Sequence, residues 1–186
     1  MSQEDKQEDK LVDKNDIVLI AFFADEEAAK SAVEGLKIWD KSNENIKLGA
    51  IGTISKDGDK VKTHVGRKTG KGVAIGATVG VIGAVLTGGM SLIATAVATG
   101  AMGGALGAFF KKSPDLTKEE IAAIGQELDA GRVAVVVNLD DYEVPLVTEY
   151  MVGSQGTVRT YNVPTAALAE AASAPEVMDA VSEEKA

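Results

Sequence analysis

Ile17-Val-Leu-Ile-Ala-Phe-Phe23 is an unbroken apolar run, the pattern of a short strand covered on both faces. Asp25, Glu26 and Glu27 then open a helix, where acidic side chains suit the positive end of the dipole. Ala29, Ala32, Val33 and Leu36 follow at helical spacing, and Trp39 continues that face. Ile46 to Ile54 reads as a second strand, Lys56-Asp57-Gly58-Asp59 as a hairpin turn, and Lys60 to Val65 as the returning strand. Further on, Ser113-Pro114 breaks the chain and Thr117-Lys-Glu-Glu120 has capping-box spacing. Ile121, Ile124 and Leu128 form the buried stripe of that helix, and Gly131 suits its stop. Arg132 to Leu139 is the strongest strand pattern in the chain. Asp140 or Asp141 caps a helix with Val144, Val147, Tyr150 and Met151 on its inner face, and Pro145 is tolerable in its first turn. Gly153 and Gly156 end it, and Thr157 to Val163 is a last strand.

Between these halves lies a stretch of another kind. No charged residue occurs from Gly72 to Phe110, and Gly, Ala and small β-branched residues fill it. The stretch is about twice what one helix needs to span a bilayer. Thr87-Gly88-Gly89-Met90-Ser91 is a natural break, which predicts two helices over 72–87 and 91–109 folded back on each other. Small residues recur every fourth position: Gly72, Gly76, Gly80 and Ala84 on the first arm, Gly103 and Gly107 on the second, with Gly100 and Gly104 in a neighbouring row. That spacing lines one helix face with small side chains and lets backbones approach closely. Each interior Gly costs roughly 1 kcal/mol against Ala, so close packing must compensate.

Two surroundings can supply that packing. The hairpin can enter a membrane, with Arg67, Lys68, Lys71, Lys111 and Lys112 contacting anionic lipid at its base. Its arms of about 17 residues reach roughly 25 Å, short of a hydrocarbon core near 30 Å. Alternatively, hairpins from several copies pack together into a ring, tube or cage. A third arrangement, a hairpin buried within one chain, is disfavoured because the rest of the chain is small for wrapping it.

The resulting organisation is a polar, disordered tail over 1–14, half of an α/β domain over 15–66, the Gly-rich hairpin over 67–112, the second half over 113–163 and a flexible Ala/Glu-rich tail over 164–186. Two βαβ units of this size predict an α+β ferredoxin-like sandwich, helices on one face of a largely antiparallel sheet, interrupted by the inserted hairpin.

Charge sharpens the picture. The net charge is −9, and it is uneven: residues 1–112 hold 15 basic and 14 acidic side chains, residues 113–186 hold 4 and 14. Nucleic acid binding needs a basic face. The only basic cluster, Lys56 to Lys71, is diluted by Asp57 and Asp59 and lacks interleaved aromatics. No nucleic acid partner is expected. There is no Cys, hence no disulfide framework, thiolate zinc site or Cys nucleophile. The first ten residues lack the apolar core of a signal peptide, which predicts a cytoplasmic chain, or one at the inner face of the cytoplasmic membrane.

Candidate chemistry is sparse. Gly66-Arg-Lys-Thr-Gly-Lys-Gly72 misses the phosphate-binding loop: three residues separate the glycines instead of four, and Gly follows the Lys. Gly70-Lys-Gly72-Val-Ala-Ile-Gly76 is one residue off the dinucleotide fingerprint and has no acid about 20 positions on. His64 is the only His and has no evident base, nucleophile or second ligand beside it. Turn and cap chemistry accounts for Asp57/Asp59 and Asp140/Asp141. The expectation is a non-enzyme without catalytic, metal or cofactor residues, which associates with copies of itself and with membrane lipid.

The pieces IVLIAFFADEEAAKSAVEGL, GKGVAIGATVGVIGAVLTGG and LTKEEIAAIGQELDAGRVAVVVNLD, with the closing VRTYNV, resemble the bacterial and archaeal domain-of-unknown-function 1269 family. The opening part is also similar to heat-induced general-stress proteins. The likeness follows element order over roughly residues 15–163. It implies a membrane or stress-related role and supplies no catalytic residues.

Overall fold

The computed structural model describes residues 16–43, 46–58, 60–67, 81–83 and 105–172. Five strands form one sheet: β1 (Ile17–Phe23), β2 (Ile51–Asp57), β3 (Lys60–Arg67), β4 (Val133–Leu139) and β5 (Thr157–Asn162), in the order β3-β2-β4-β1-β5. Every neighbouring pair is antiparallel, with Ile17 opposite Leu139 and Phe23 opposite Val133 at the sheet's centre. The two central strands, β1 and β4, are buried at every position. Their apolar runs do not alternate because both faces of the sheet are covered.

One face carries α1 (Glu26–Ser42) and α4 (Val144–Gly153). Asp25 caps α1 by accepting from the Ala28 N–H at 2.8 Å. Ala29, Ala32, Val33 and Leu36 then face Leu19, Ala21, Val135 and Val137, joined by Val147 and Met151 of α4. Gly35 is the notch between the two helices. A Cβ there would lie 2.1 Å from the Tyr150 hydroxyl oxygen, which donates to the Ala32 carbonyl at 3.2 Å. The same Tyr150 ring stacks on Trp39, centroids 5.9 Å apart.

The other face carries α2 (Ala105–Lys112), α3 (Lys118–Asp129), α5 (Thr165–Ala172) and a helical turn at Val81–Gly83. Helices therefore cover both faces of the sheet, not the single face expected. The physical reason is the pattern itself: Val18, Ile20, Phe22 and Val136 are as apolar as their neighbours, and Phe109, Ile121, Ile124 and Leu168 bury them. Thr117 caps α3 through the Glu120 N–H at 3.2 Å, and Gly131, at φ +81°, follows its end. Ile121, Ile124 and Leu128 are its buried stripe.

Three boundaries differ from expectation. The second strand begins at Ile51 instead of Ile46. Residues 46–50 nevertheless follow β4, with the Gly49 N–H on the Asn138 carbonyl and the Asn138 N–H on the Ala50 carbonyl, both 2.9 Å. Ile46, Leu48 and Ala50 are buried there, which explains the strand-like alternation. The tail expected to be flexible from residue 164 is helix over Thr165–Ala172, because Ala167, Leu168 and Ala171 bury against the second face. Finally, the described pieces of the Gly-rich run dock on the chain's own sheet. Val81 and Ile82 are fully buried and Phe109 nearly so, all within the core that holds Phe22 and Val136. Gly83 approaches β3 so closely that a Cβ would sit 2.3 Å from the Thr63 methyl. The arrangement disfavoured on grounds of size, burial within one chain, holds for these pieces. Most of the predicted hairpin, including its break, lies outside the described residues.

Candidate functional site

The residues singled out in the sequence are only partly placed. Gly72, Gly76, Gly80, Ala84, Gly100, Gly103, Gly104, Lys68 and Lys71 lie outside the described residues. Gly107 lies within α2 and Arg67 ends β3. Lys111 and Lys112 are exposed in the last turn of α2, where positive charge favours the helix dipole. Lys112 pairs with Glu170 of α5, so one of the two basic side chains at this end is already matched by an acid. His64 is exposed on β3. Asp57 pairs with Lys62 at 2.7 Å across the hairpin, and that Lys holds its carboxyl below the ordinary range.

A polar ladder that the sequence did not announce joins α3 to the edge strand β5. The Tyr161 hydroxyl donates to Glu120 at 2.8 Å, and Arg159 reaches the same oxygen at 3.3 Å. Arg159 lies 3.7 Å from Glu127, which accepts from Arg132 at 2.8 Å. Arg132 in turn donates to the Phe22 carbonyl and the Thr157 hydroxyl, each at 2.9 Å. Both guanidinium groups sit against the Phe22 ring, 5.8 and 5.9 Å from its centroid. The Glu120 carboxylate thus looks outward to β5 although its spacing from Thr117 marks a capping box. That spacing hid it, and a lone Arg on a half-exposed strand gave no other signal. An open groove of about 600 Å³ runs beside the ladder, lined by Asp115, Thr117, Glu120, Arg159, Thr160 and Tyr161.

The ladder's chemistry is structural. Its carboxylates face guanidinium groups and its phenol donates to one of them, so each charge is spent on a neighbour within the fold. Among the described residues no three metal-ligating side chains come together, and no helix is long and apolar enough to cross a membrane. No family model, curated protein or solved structure matches the chain.

Burial, and then the Glu120 carboxylate it donates to, push the Tyr161 phenol well above its ordinary value of 10.0. The folded chain therefore keeps this proton where the unfolded chain has lost it. Its contribution to stability is complete below about pH 10 and is lost as pH rises past that point. Urea unfolding of the wild type is expected to weaken more steeply above about pH 10 than that of Tyr161→Phe. Identical slopes for the two proteins would show that this phenol is not held neutral.

Proposed function

We propose that this chain is a non-enzymatic structural protein that associates with further copies of itself through its Gly-rich run. The observation that carries this reading is the docking of two separate pieces of the run on one face of the same sheet, at Val81–Gly83 and at Phe109. Between Gly83 and Ala105 remain 21 residues. Folded as a helical hairpin, arms of about 10 residues extend roughly 15 Å, half of a hydrocarbon core. As a single helix they would hold their ends roughly 30 Å apart, which fits poorly with two anchors in one core. A short Gly-rich loop is better suited to pack against its equivalent in another copy, where small residues allow close backbone contact.

The frame that presents the run is read as a ferredoxin-like sandwich with one extra edge strand. The support is the β2-β4-β1-β5 order and the shared face of α1 and α4, each of which links strands that have one other strand between them. The stress-linked role rests on the resemblance to the domain-of-unknown-function 1269 and general-stress families. A second reading, a run that dips into a membrane surface, is favoured by the uncharged composition and by exposed Lys111 beside the base of the run.

Fractionation of a detergent-free lysate, followed by sizing, separates the two. Self-association predicts a large species in the supernatant that collapses in Gly100→Leu/Gly104→Leu, both within the segment between the anchors, while the far-ultraviolet circular dichroism of the frame persists. A protein that pellets with membranes, and is released by detergent but not by salt, would sink the assembly reading in favour of the membrane one.

A further inference from the structure

All four of the large hydrophobic side chains exposed among the described residues lie on one layer. Ile38 is 67% exposed on α1; Tyr142, Leu146 and Val152 are 40%, 46% and 56% exposed on the turn before α4 and on α4 itself. Among the described side chains, neither the edge strands nor α2, α3 and α5 expose one. The stacked Trp39–Tyr150 pair bridges the two helices beneath these residues, and both rings are only partly covered. Tyr150 is locked in place by the Gly35 notch and its bond to Ala32, so the floor of the patch is rigid. Scattered exposed hydrophobics are ordinary, but their confinement to one rigid helical face marks a contact surface.

Charge identifies the occupant. The second half of α1 displays Lys37 and Lys41, and its one acid, Asp40, is buried. Residues 141–153 contain no basic residue and display Asp141 and Glu149. Lys37 leans on Glu34 at 2.9 Å, an exposed pair of the weak kind that can be rearranged. The second half of α1 is thus a short basic strip beside the acidic α4, and exposed Glu34 marks where that strip ends. A two-fold rotation lays the basic strip of one copy on the acidic strip of the other and brings the apolar residues together. An isologous contact has this self-complementary form.

We propose that the α1–α4 face binds the same face of a second copy, as a symmetric contact on the opposite side of the sheet from Val81–Gly83 and Phe109 of the Gly-rich run. It stands whether or not the run associates. With the run contact it gives each subunit two opposed self-contacts, enough to build an extended or closed assembly from one chain.

Sedimentation of the full chain against concentration tests it, using Gly100→Leu/Gly104→Leu as the parent so that the contact through the run is removed. The parent is expected to sediment as a dimer. Ile38→Asp/Leu146→Asp should weaken that dimer at least about tenfold, with the circular dichroism of the folded subunit retained because both residues are on the surface. Lys41→Glu and Glu149→Lys should each weaken it, and the two together should recover it. A monomeric parent, an unaltered dimer in Ile38→Asp/Leu146→Asp, or no recovery in the double charge reversal would each overturn the proposal. So would an Ile38→Asp/Leu146→Asp variant that keeps its mass and loses binding to anionic vesicles, which would make lipid the occupant.

Discussion

Phe109→Ala is expected to destabilise the α/β frame by about 3–5 kcal/mol, the usual cost of deleting a buried aromatic side chain. Phe109 is 1% exposed and packs in the core with Phe22, Ile54 and Val136, edge-on to Phe110 at 5.5 Å between centroids. Truncation leaves a cavity against strands that cannot close it, because β1 and β4 are fixed by pairing on both sides. Urea unfolding followed by Trp39 fluorescence reads the frame, since that residue lies on the opposite face. Gln126→Ala, at an exposed position of α3 away from the α1–α4 face, serves as the control and should change stability by no more than about 0.5 kcal/mol. The comparison bears directly on how the Gly-rich run is held. Were the end of the run engaged only with lipid or another copy, Phe109→Ala would behave like the control.

Glu143→Ala is expected to cost about 3 kcal/mol for a different reason. The Glu143 side chain is completely buried, and its two oxygens accept from separate pieces of backbone: the Lys47 N–H at 2.7 Å and the Asp140 N–H at 2.9 Å. The first holds the irregular chain before β2, and the second closes a capping box at the entrance to α4. Removing the carboxylate takes this acceptor from the buried Asp140 N–H and the part-buried Lys47 N–H, which is costlier than losing the bonds alone. Glu143→Gln keeps the shape and one acceptor oxygen but points an amide at an N–H, so its stability should fall between the two. Unfolding of Glu143→Ala at the wild-type urea midpoint would refute this account.

These two residues also mark where the sequence was and was not legible. β1, β4, α1 and α3 are readable because their pattern is local: seven apolar residues in a row in β1, five in β4, or a stripe repeated every three or four, needs no knowledge of the partner. The loop at 46–50 was mistaken for ladder because its alternation is real, while the force that holds it comes from Glu143, 96 positions away, and from Asp40, which accepts from the Leu48 N–H at 3.0 Å. The composition of residues 165–172 predicts a flexible tail, yet its small side chains are what let α5 lie close to the sheet and α2. The second helical layer was missed for the same reason that the run drew notice. An apolar stretch of that length was read as leaving the domain, when Val81, Ile82 and Phe109 were needed to cover it. The polar ladder was invisible because Glu120 already had a reading as a cap and Arg159 had no sequence neighbour to pair with.

Strand order has a consequence during synthesis. β4 lies between β1 and β2 and pairs with both, yet it leaves the ribosome more than a hundred residues after β1 begins and only after the whole Gly-rich run. Until then β1 has no neighbour on either side, since β5 is later still, and β2 and β3 have only each other. The nascent chain must therefore carry a fully apolar strand and 39 uncharged residues at the same time, with the sheet that will cover them still incomplete. Long-range pairing of this kind is slow and leaves sticky surface exposed while it waits. The interval before β4 emerges is when this protein most needs a chaperone, and slowing translation between residues 67 and 133 should raise the fraction that aggregates.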